Sequence, residues 1–141
     1  MKCFLHIWRP RASTLLLNSR LLAHLSEFLL TDICNLGDAQ RGATLFKARC
    51  QQCHSIGKFE GNKGGPNLYG VVGRKTGEAV NYKYSEATKQ KNITWSEDTL
   101  VCVLFHYLED PARCIPGTRM VFDGVKSVKD RHDLITYVFP Q

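Results

Sequence analysis

Two cysteines and a histidine carry the clearest chemistry in this sequence, in the order Cys50-Gln51-Gln52-Cys53-His54. Residues three apart on a helical turn share a face. Both thiols could therefore add to the two vinyl groups of one haem and form thioethers. The imidazole of His54 follows at once and could bind the iron beneath the ring. This spacing is typical of c-type haem attachment.

Two other kinds of site also use paired cysteines. A structural zinc site takes about four ligands, commonly as two pairs, but the remaining candidates are scattered along the chain: Cys102, His106, Cys114 and His132. A thioredoxin-like dithiol lies at a strand-to-helix turn, whereas a helical pattern precedes Cys50. Both alternatives fit the sequence less well than haem attachment.

A low-spin electron-transfer haem needs a second axial ligand, and methionine is a common choice. The chain has two methionines, Met1 and Met120. Met120 lies in "IPGTRMVF", a loop that could fold back over the ring. Ordinary core packing is the other role open to a loop methionine. A low-spin haem needs a second axial ligand whatever its place in the sequence. The haem hypothesis therefore favours Met120 as that ligand.

Helices and glycine-rich loops must hold these residues in place. Asp38 can cap a helix through "AQRGATLFKARC". Seven glycines and Pro66 lie between Gly57 and Gly77, which predicts a long loop. Three later helices are predicted from their first residues: "SEATKQK" from Ser85, "SEDTLVCVLFHYLED" from Ser96 with its end at Pro111, and "VKDRHDLITYV" after Ser127 with its end at Pro140.

A haem would fill the volume that side chains fill in other small domains, and glycine lets backbone run close to the ring. We therefore expect the domain to be largely unfolded without its cofactor.

Composition limits the class of protein further. The 141 residues are 43% hydrophobic and carry a net charge of +6. Residues 1–34 contribute four basic and two acidic side chains, which leaves 15 basic and 11 acidic ones, a net charge of +4, in the rest. That excess could steer the chain toward an acidic surface, whether a protein partner, an anionic lipid or a nucleic acid, and composition does not choose among them. No apolar run approaches the roughly 18 residues of a membrane-spanning helix.

The first 34 residues differ from the rest. They are basic and poor in acids, with leucines at helical spacing, which is typical of a mitochondrial transit peptide. An unstructured extension and a start codon assigned upstream of the true one are the alternatives. We expect residues 1–34 to be an N-terminal extension and residues 35–141 to form the folded domain.

From Gly37 to Val138 the chain resembles mitochondrial cytochrome c, a class I c-type cytochrome. The matching stretches are "GDAQRGATLFKARCQQCHSI", "GPNLYGVVGRKTG", "YLEDP..CIPGTRMVF" and "DRHDLITYV", together with "Y.YSEATKQKNITWSEDTL". The resemblance implies an all-α fold, in which a few helices and long glycine-rich loops surround one covalently bound haem c with its iron.

The resemblance also assigns roles to individual residues. Cys50 and Cys53 match the thioether cysteines, His54 the proximal iron ligand and Met120 the distal one. Pro66 matches the proline whose carbonyl accepts the ligand histidine's N–H. Arg74, Tyr84 and Trp95 match donors to a haem propionate, and Tyr107 and Thr118 match polar residues beside the methionine. Gly42 and Phe46 match the crossing of the first helix with the last, near Leu134 and Tyr137. Burial alone could also explain Trp95 and Tyr107, and Arg74 could be a surface charge.

The implied function is one-electron transport in the mitochondrial intermembrane space, not an enzymatic reaction. The implied partners are ubiquinol–cytochrome c reductase and cytochrome c oxidase, with peripheral contact to anionic membrane lipid, no nucleic acid, and a monomeric state. We expect basic residues around the haem edge to steer docking: Arg49, Lys63, Arg113, Arg119 and Lys126.

The chain departs from the family pattern at several places. About four extra residues, "VCVL" at Val101–Leu104, threaten the register of the methionine loop, because they overshoot one helical turn by about 40°. The helix can absorb them by lengthening or by bulging. Thr88, Ala112 and Cys114 replace the usual asparagine, lysine and tyrosine, and the chain ends at Gln141, before the usual end of the last helix. The hypotheses are misread exon edges or a divergent isoform. If the insertion displaces Met120, a five-coordinate, peroxidase-like haem protein is the alternative function.

Overall fold

The computed structural model describes residues 37–96, 99 and 103–139. Five helices are described from end to end: α1 (Ala39–Arg49), α2 (Glu86–Gln90), α3 (Phe105–Glu109), α4 (Pro111–Cys114) and α5 (Val128–Val138). The same ranges contain no strand, only an isolated antiparallel bridge between Lys75 and Thr94. The predicted all-α class is thereby confirmed. Residues 1–34, the predicted extension, lie outside the described residues.

Three helices begin at the capping residues predicted for them. The Asp38 carboxylate accepts hydrogen bonds from the backbone N–H groups of Gln40 and Arg41, which opens α1. Ser85 caps α2 through the N–H of Thr88, and Ser127 caps α5 through the N–H of Asp130. These side chains satisfy N–H groups that have no partner within the helix. In the part of the chain described, no helix has the length and apolar character to cross a bilayer.

The helix predicted from Ser96 is described only in part, because residues 97, 98 and 100–102 lie outside the described ranges. Ser96 and Thr99 exchange hydrogen bonds in the manner of a capping box: each side-chain oxygen accepts the other's backbone N–H, at 3.3 and 2.8 Å. Residues 103–104, the described half of the insertion, have π-helical backbone and lead directly into α3. A π-bulge absorbs extra residues within a helix, and bulging was one of the two outcomes expected.

Pro111 does more than end a helix. It is the first residue of α4, a helix that the sequence analysis did not assign. The Asp110 side chain accepts the N–H of Arg113 at 3.0 Å and caps this turn. Proline suits a first helical position because its missing N–H has no partner there anyway. The predicted loop follows from Ile115 to Ser127.

The core forms where α1 crosses α5. Phe46, Val125, Leu134 and Val138 are buried together there, and the ring of Phe46 lies 5.7 Å from that of Tyr137. A Cβ on Gly42 would lie only 2.0 Å from the carbonyl oxygen of Asp133. The prediction that this glycine allows close approach of the two helices is confirmed.

A buried carboxylate ties the same two helices together. Asp133 is fully buried. Its oxygens accept the backbone N–H of Asp38 at 2.7 Å and the ammonium of Lys129 at 3.0 Å, and the guanidinium of Arg41 lies 3.4 Å away. Burial raises the pKa of Asp133, but these hydrogen bonds and charges outweigh it and hold the pKa below its ordinary value.

Candidate functional site

One cavity lies against the core, between α1, α5 and the loops. Its volume is about 310 Å³, which is within the ~300–1,000 Å³ range of ligand pockets. Its walls are mostly apolar, with Phe46 from α1 and Leu134 from α5 among them. All ten sequence-predicted site residues line it: Cys50, Cys53, His54, Pro66, Arg74, Tyr84, Trp95, Tyr107, Thr118 and Met120.

The two cysteines lie on a turn that continues from α1. The N–H groups of Cys53 and His54 both donate to the carbonyl oxygen of Cys50, at 3.0 and 2.8 Å. Both thiols are free, with Cys50 half-buried and Cys53 exposed. Burial raises the pKa of Cys50 to about 11, against the opposing charge of Arg49. The turn therefore presents two thiols to one cavity, with Cys50 protonated at neutral pH.

The imidazole of His54 is held by its neighbours in one orientation. Its Nδ1 lies 2.8 Å from the carbonyl oxygen of Pro66 and donates to it, so that Nε2 is left as the free nitrogen. Burial lowers the pKa of His54, the bond to Pro66 opposes this, and the charge of Lys63 lowers the pKa further. The imidazole is therefore neutral at neutral pH, as a metal ligand must be.

Backbone passes close to this ring. A Cβ on Gly65 would lie 2.5 Å from Cε1 of His54, so only glycine fits here without movement of the histidine. The N–H of Gly65 also donates to the carbonyl oxygen of Cys53 at 2.7 Å. Glycine is needed here for the approach of the backbone to the His54 ring, whereas the expected approach of backbone to the haem ring stays a prediction.

A short backbone pairing brings Arg74 and Trp95 together. The N–H of Trp95 donates to the Arg74 carbonyl at 2.8 Å, and the N–H of Gly73 donates to the Trp95 carbonyl at 2.7 Å. The Arg74 guanidinium reaches the carbonyl oxygen of Asn67 at 3.0 Å. This places a guanidinium and an indole N–H, two of the predicted propionate donors, on neighbouring segments of one wall.

Tyr84, the third predicted donor, lies beside a second tyrosine. Its ring meets that of Tyr82 edge to face, with 4.7 Å between centroids. Burial raises the pKa of Tyr84, while a hydrogen bond with the backbone of Ala79 opposes the shift. The phenol therefore stays protonated and can donate a hydrogen bond at neutral pH.

Tyr107 and Thr118 connect α3 to the methionine loop. Their hydroxyl oxygens lie 2.8 Å apart, and Thr118 accepts the backbone N–H of Met120 at 3.3 Å. Burial raises the pKa of Tyr107, against the hydrogen bond to Thr118. Met120 is half-buried, whereas the side chain of the next residue, Val121, is 99% exposed. Both residues line the cavity, and Met120 is the more deeply buried of the two.

The predicted basic residues divide into two groups. Arg49 and Arg119 line the cavity. Arg49 donates to the carbonyl oxygen of Gly124 at 3.2 Å, and Arg119 donates to that of Lys83 at 3.0 Å. The other three are exposed and do not line the cavity: Lys63, Arg113 and Lys126.

These features fit a c-type haem. The cavity combines mostly apolar walls with two free thiols, a neutral oriented imidazole and a thioether side chain. The comparison with known families decides the matter, because the family model described as "Cytochrome c" matches residues 39–139. The chain belongs to the cytochrome c family. It is a haem-based electron carrier, and its cofactor is haem c with iron.

Individual cytochromes c match over most of their length. The cytochrome c of Arabidopsis thaliana is 54% identical over 109 residues, which are 77% of this chain and 94% of the relative. That of the fungus Cochliobolus lunatus is 56% identical over 102 residues, 72% of this chain and 91% of the relative. That of Theileria parva is 52% identical over the same share of this chain and 84% of its own length.

Several cavity residues of this cytochrome c were not predicted from the sequence. Three of them are apolar: Leu68, Ile115 and Phe122. Another is Tyr82, whose hydroxyl donates a hydrogen bond to the carbonyl oxygen of Gly64 at 2.9 Å. Isolated apolar residues in loops have no periodicity that would separate a wall residue from an exposed one. For Tyr82, the one available signal was an aromatic residue following a glycine-rich stretch.

Proposed function

We propose that this chain carries single electrons from ubiquinol–cytochrome c reductase to cytochrome c oxidase in the mitochondrial intermembrane space, with His54 and Met120 as the two iron ligands. The observation that carries the proposal is the convergence of His54 and Met120, from distant parts of the sequence, on one largely apolar cavity. We also propose that residues 35–141 form the carrier domain, that it is not an enzyme, and that it acts as a monomer.

When bound, the haem supplies a reversible one-electron couple between ferric and ferrous iron. The chain's own residues prepare the site for it. Cys50 and Cys53 would provide the sulfurs for covalent attachment, and the carbonyl of Pro66 orients the His54 imidazole so that Nε2 is left available to bind the iron. Because the backbone of the turn from Cys50 to His54 and the His54 ring are held by hydrogen bonds, they do not have to rearrange between oxidation states.

Polar residues on the cavity walls have separate tasks. Arg74, Tyr84 and Trp95 are donors suited to a carboxylate, and a propionate among them would have its charge neutralised and hydrogen-bonded. Tyr107 and Thr118 hold the loop that carries Met120. The mostly apolar walls exclude water, and together with a methionine ligand they favour a raised reduction potential.

We propose that docking depends on five basic residues: Arg49 and Arg119, which line the cavity, and Lys63, Arg113 and Lys126, which are exposed. Their positive charge suits acidic partner surfaces and the anionic headgroups of a membrane. Nucleic acid is not among the proposed partners. The rate of electron transfer should fall as salt rises, because exposed charges are screened over about 10 Å at 0.1 M ionic strength.

The ferric spectrum of the full chain, produced with a haem-attachment system, tests the ligation. A covalent low-spin haem with the sulfur-to-iron charge-transfer band is expected, and Met120→Ala should lose that band while keeping covalent haem. Covalent haem without the band in the wild type would reject Met120 as ligand. It would favour the five-coordinate, peroxidase-like alternative.

Docking is tested by the rate of electron transfer to cytochrome c oxidase over a range of salt concentrations. Lys63→Gln should slow the reaction at low salt and flatten its salt dependence. Lys47→Gln is the matched control, because Lys47 is an exposed lysine on α1 that does not line the cavity. Equal effects of the two substitutions would contradict a localised docking surface.

A further inference from the structure

A buried arginine lies where α3, α5 and the end of the methionine loop meet. The side chain of Arg131, on α5, is nearly inaccessible, with 3% of the residue exposed. Its Nη1 donates to the carbonyl oxygens of Val125 and Lys126 at 2.7 and 2.9 Å. Its Nη2 lies 3.8 Å from the carboxylate of Glu109 on α3. One guanidinium thus contacts all three segments.

The same guanidinium lies over an aromatic face. Its Cζ is 4.1 Å from the centroid of the Phe105 ring, and that ring also lies 4.9 Å from the ring of His132. Nε of Arg131 has no hydrogen-bond partner among the described residues. A buried cation needs compensation for its lost hydration, and the face of Phe105 supplies part of it.

Phe105 is the first residue of α3, directly after the π-helical residues 103–104. Each residue turns an α-helix by about 100°. A bulge before α3 therefore does not determine how α3 is rotated about its own axis. That rotation depends on the contacts that α3 makes with other segments. The contacts of Arg131 and His132 with the Phe105 ring favour one rotation of α3. In that rotation Tyr107, two residues later, reaches Thr118 at 2.8 Å.

The end of the methionine loop is tied to the same helix. The N–H of Val125 donates to the carbonyl oxygen of Leu108 at 2.7 Å, and the ammonium of Lys126 donates to that of Glu109 at 2.7 Å. A change in the rotation of α3 would therefore move both attachments of the loop, at Thr118 and at Val125.

We propose that Phe105 is a positioning residue for Met120. Its contact with the buried guanidinium of Arg131 holds α3 in register after the insertion and so keeps the methionine loop closed. The inference rests on the proposed function, since it takes Met120 as the iron ligand. It goes beyond that function by naming how the chain tolerates the extra residues before α3.

The affinity of the ferric holoprotein for added imidazole tests the proposal. Imidazole competes with the Met120 sulfur, so its apparent affinity rises with the population in which the loop is open. Phe105→Met keeps the apolar volume but removes the aromatic face, and we expect about tenfold tighter imidazole binding, given the strength of a desolvated cation–π contact. Phe105→Tyr keeps the aromatic face, and its affinity for imidazole should stay within about twofold of that of the wild type.

A second readout does not involve the iron. Hydrogen exchange at the amide of Val125 reports the opening of the loop end, and it should accelerate in Phe105→Met by a similar factor. Phe59→Met is the control elsewhere in the chain, because Phe59 is 94% exposed. Phe105→Leu provides a second variant without the ring.

The outcomes separate this inference from the function on which it rests. If the wild type lacks the sulfur-to-iron band, the proposed ligation fails and this inference fails with it, before any variant is measured. If the wild type has the band but Phe105→Met binds imidazole no more tightly, the ligation stands and the positioning role is overturned. A merely structural role would lower global stability without changing the imidazole affinity of the native protein.

Discussion

Gly42 lies where the backbone of α1 packs closely on that of α5, and replacing it by alanine should destabilise the holoprotein. The added Cβ would lie 2.0 Å from the carbonyl oxygen of Asp133, 2.7 Å from its carbonyl carbon and 2.8 Å from Cβ of Tyr137. The first two atoms belong to a helix backbone, which cannot rotate away as the end of a flexible side chain can.

The magnitude follows from two opposing effects. Ordinary van der Waals contact begins near 3.4 Å, so the helices would have to separate by roughly an ångström, which weakens the packing of Phe46 and Leu134. Overpacking of this kind costs up to about 3 kcal/mol. Alanine favours the helix over glycine by about 0.5–1 kcal/mol. The expected net loss is about 2 kcal/mol, or about 5–10 °C in Tm.

Guanidinium unfolding of the full-length holoprotein, followed by far-UV circular dichroism, measures this difference. Gly61→Ala is the matched control, because no atom lies within 4 Å of a Cβ placed there and the backbone is not left-handed. The control should be neutral or up to about 1 kcal/mol more stable. If Gly42→Ala proved as stable as the wild type, the close packing of α1 on α5 would not be what makes glycine necessary.

Three further changes have definite expected outcomes. The pKa of Asp133 is lower in the folded protein than its ordinary value of 3.8, so the stability it contributes is complete above that value and is lost as pH falls through the lower folded pKa. Asp133→Asn should therefore be less stable at neutral pH and lose less stability on acidification, as measured by thermal unfolding across that range. Thr118→Val leaves the half-buried hydroxyl of Tyr107 without its partner and should cost about 1–3 kcal/mol in denaturant unfolding. An unfolding midpoint equal to that of the wild type would show that the 2.8 Å contact between the two hydroxyl groups contributes little to stability. Gly65→Ala should push the His54 ring from its place and lower the yield of covalently attached haem, measured by haem absorbance per chain. An unchanged yield of covalent haem would mean that the loop backbone at residue 65 moves and the His54 ring stays in place.

Helix starts could be predicted because their causes are local. Asp38, Ser85 and Ser127 each bond an N–H within three residues of themselves, so a short stretch of sequence contains the whole interaction. The short helix α4 was missed for a related reason. Pro111 is equally suited to follow one helix and to begin another, and only the position of the Asp110 side chain distinguishes the two.

The cavity could be predicted in its chemistry but not in its shape. The cysteine–histidine spacing and the need for a second iron ligand predicted four of the ten lining residues, resemblance to a family supplied the other six, and the structure brings all ten together. Nothing in the sequence indicated that Leu68 and Ile115 would complete the wall, because whether a loop residue is buried depends on what packs over it.

The haem chemistry and the helix starts follow from short stretches of the sequence. The spacing of Cys50, Cys53 and His54 and the capping residues act over a few positions, where covalent geometry limits the outcome. The tertiary structure supplies the contact that we propose holds α3 in register after the insertion. The contact between Phe105 and Arg131 joins residues 26 positions apart, and it exists only because α5 packs beside α3. No local pattern encodes such a contact, since a cation–π contact is strongest where the guanidinium is shielded from water, and that shielding depends on how distant segments pack.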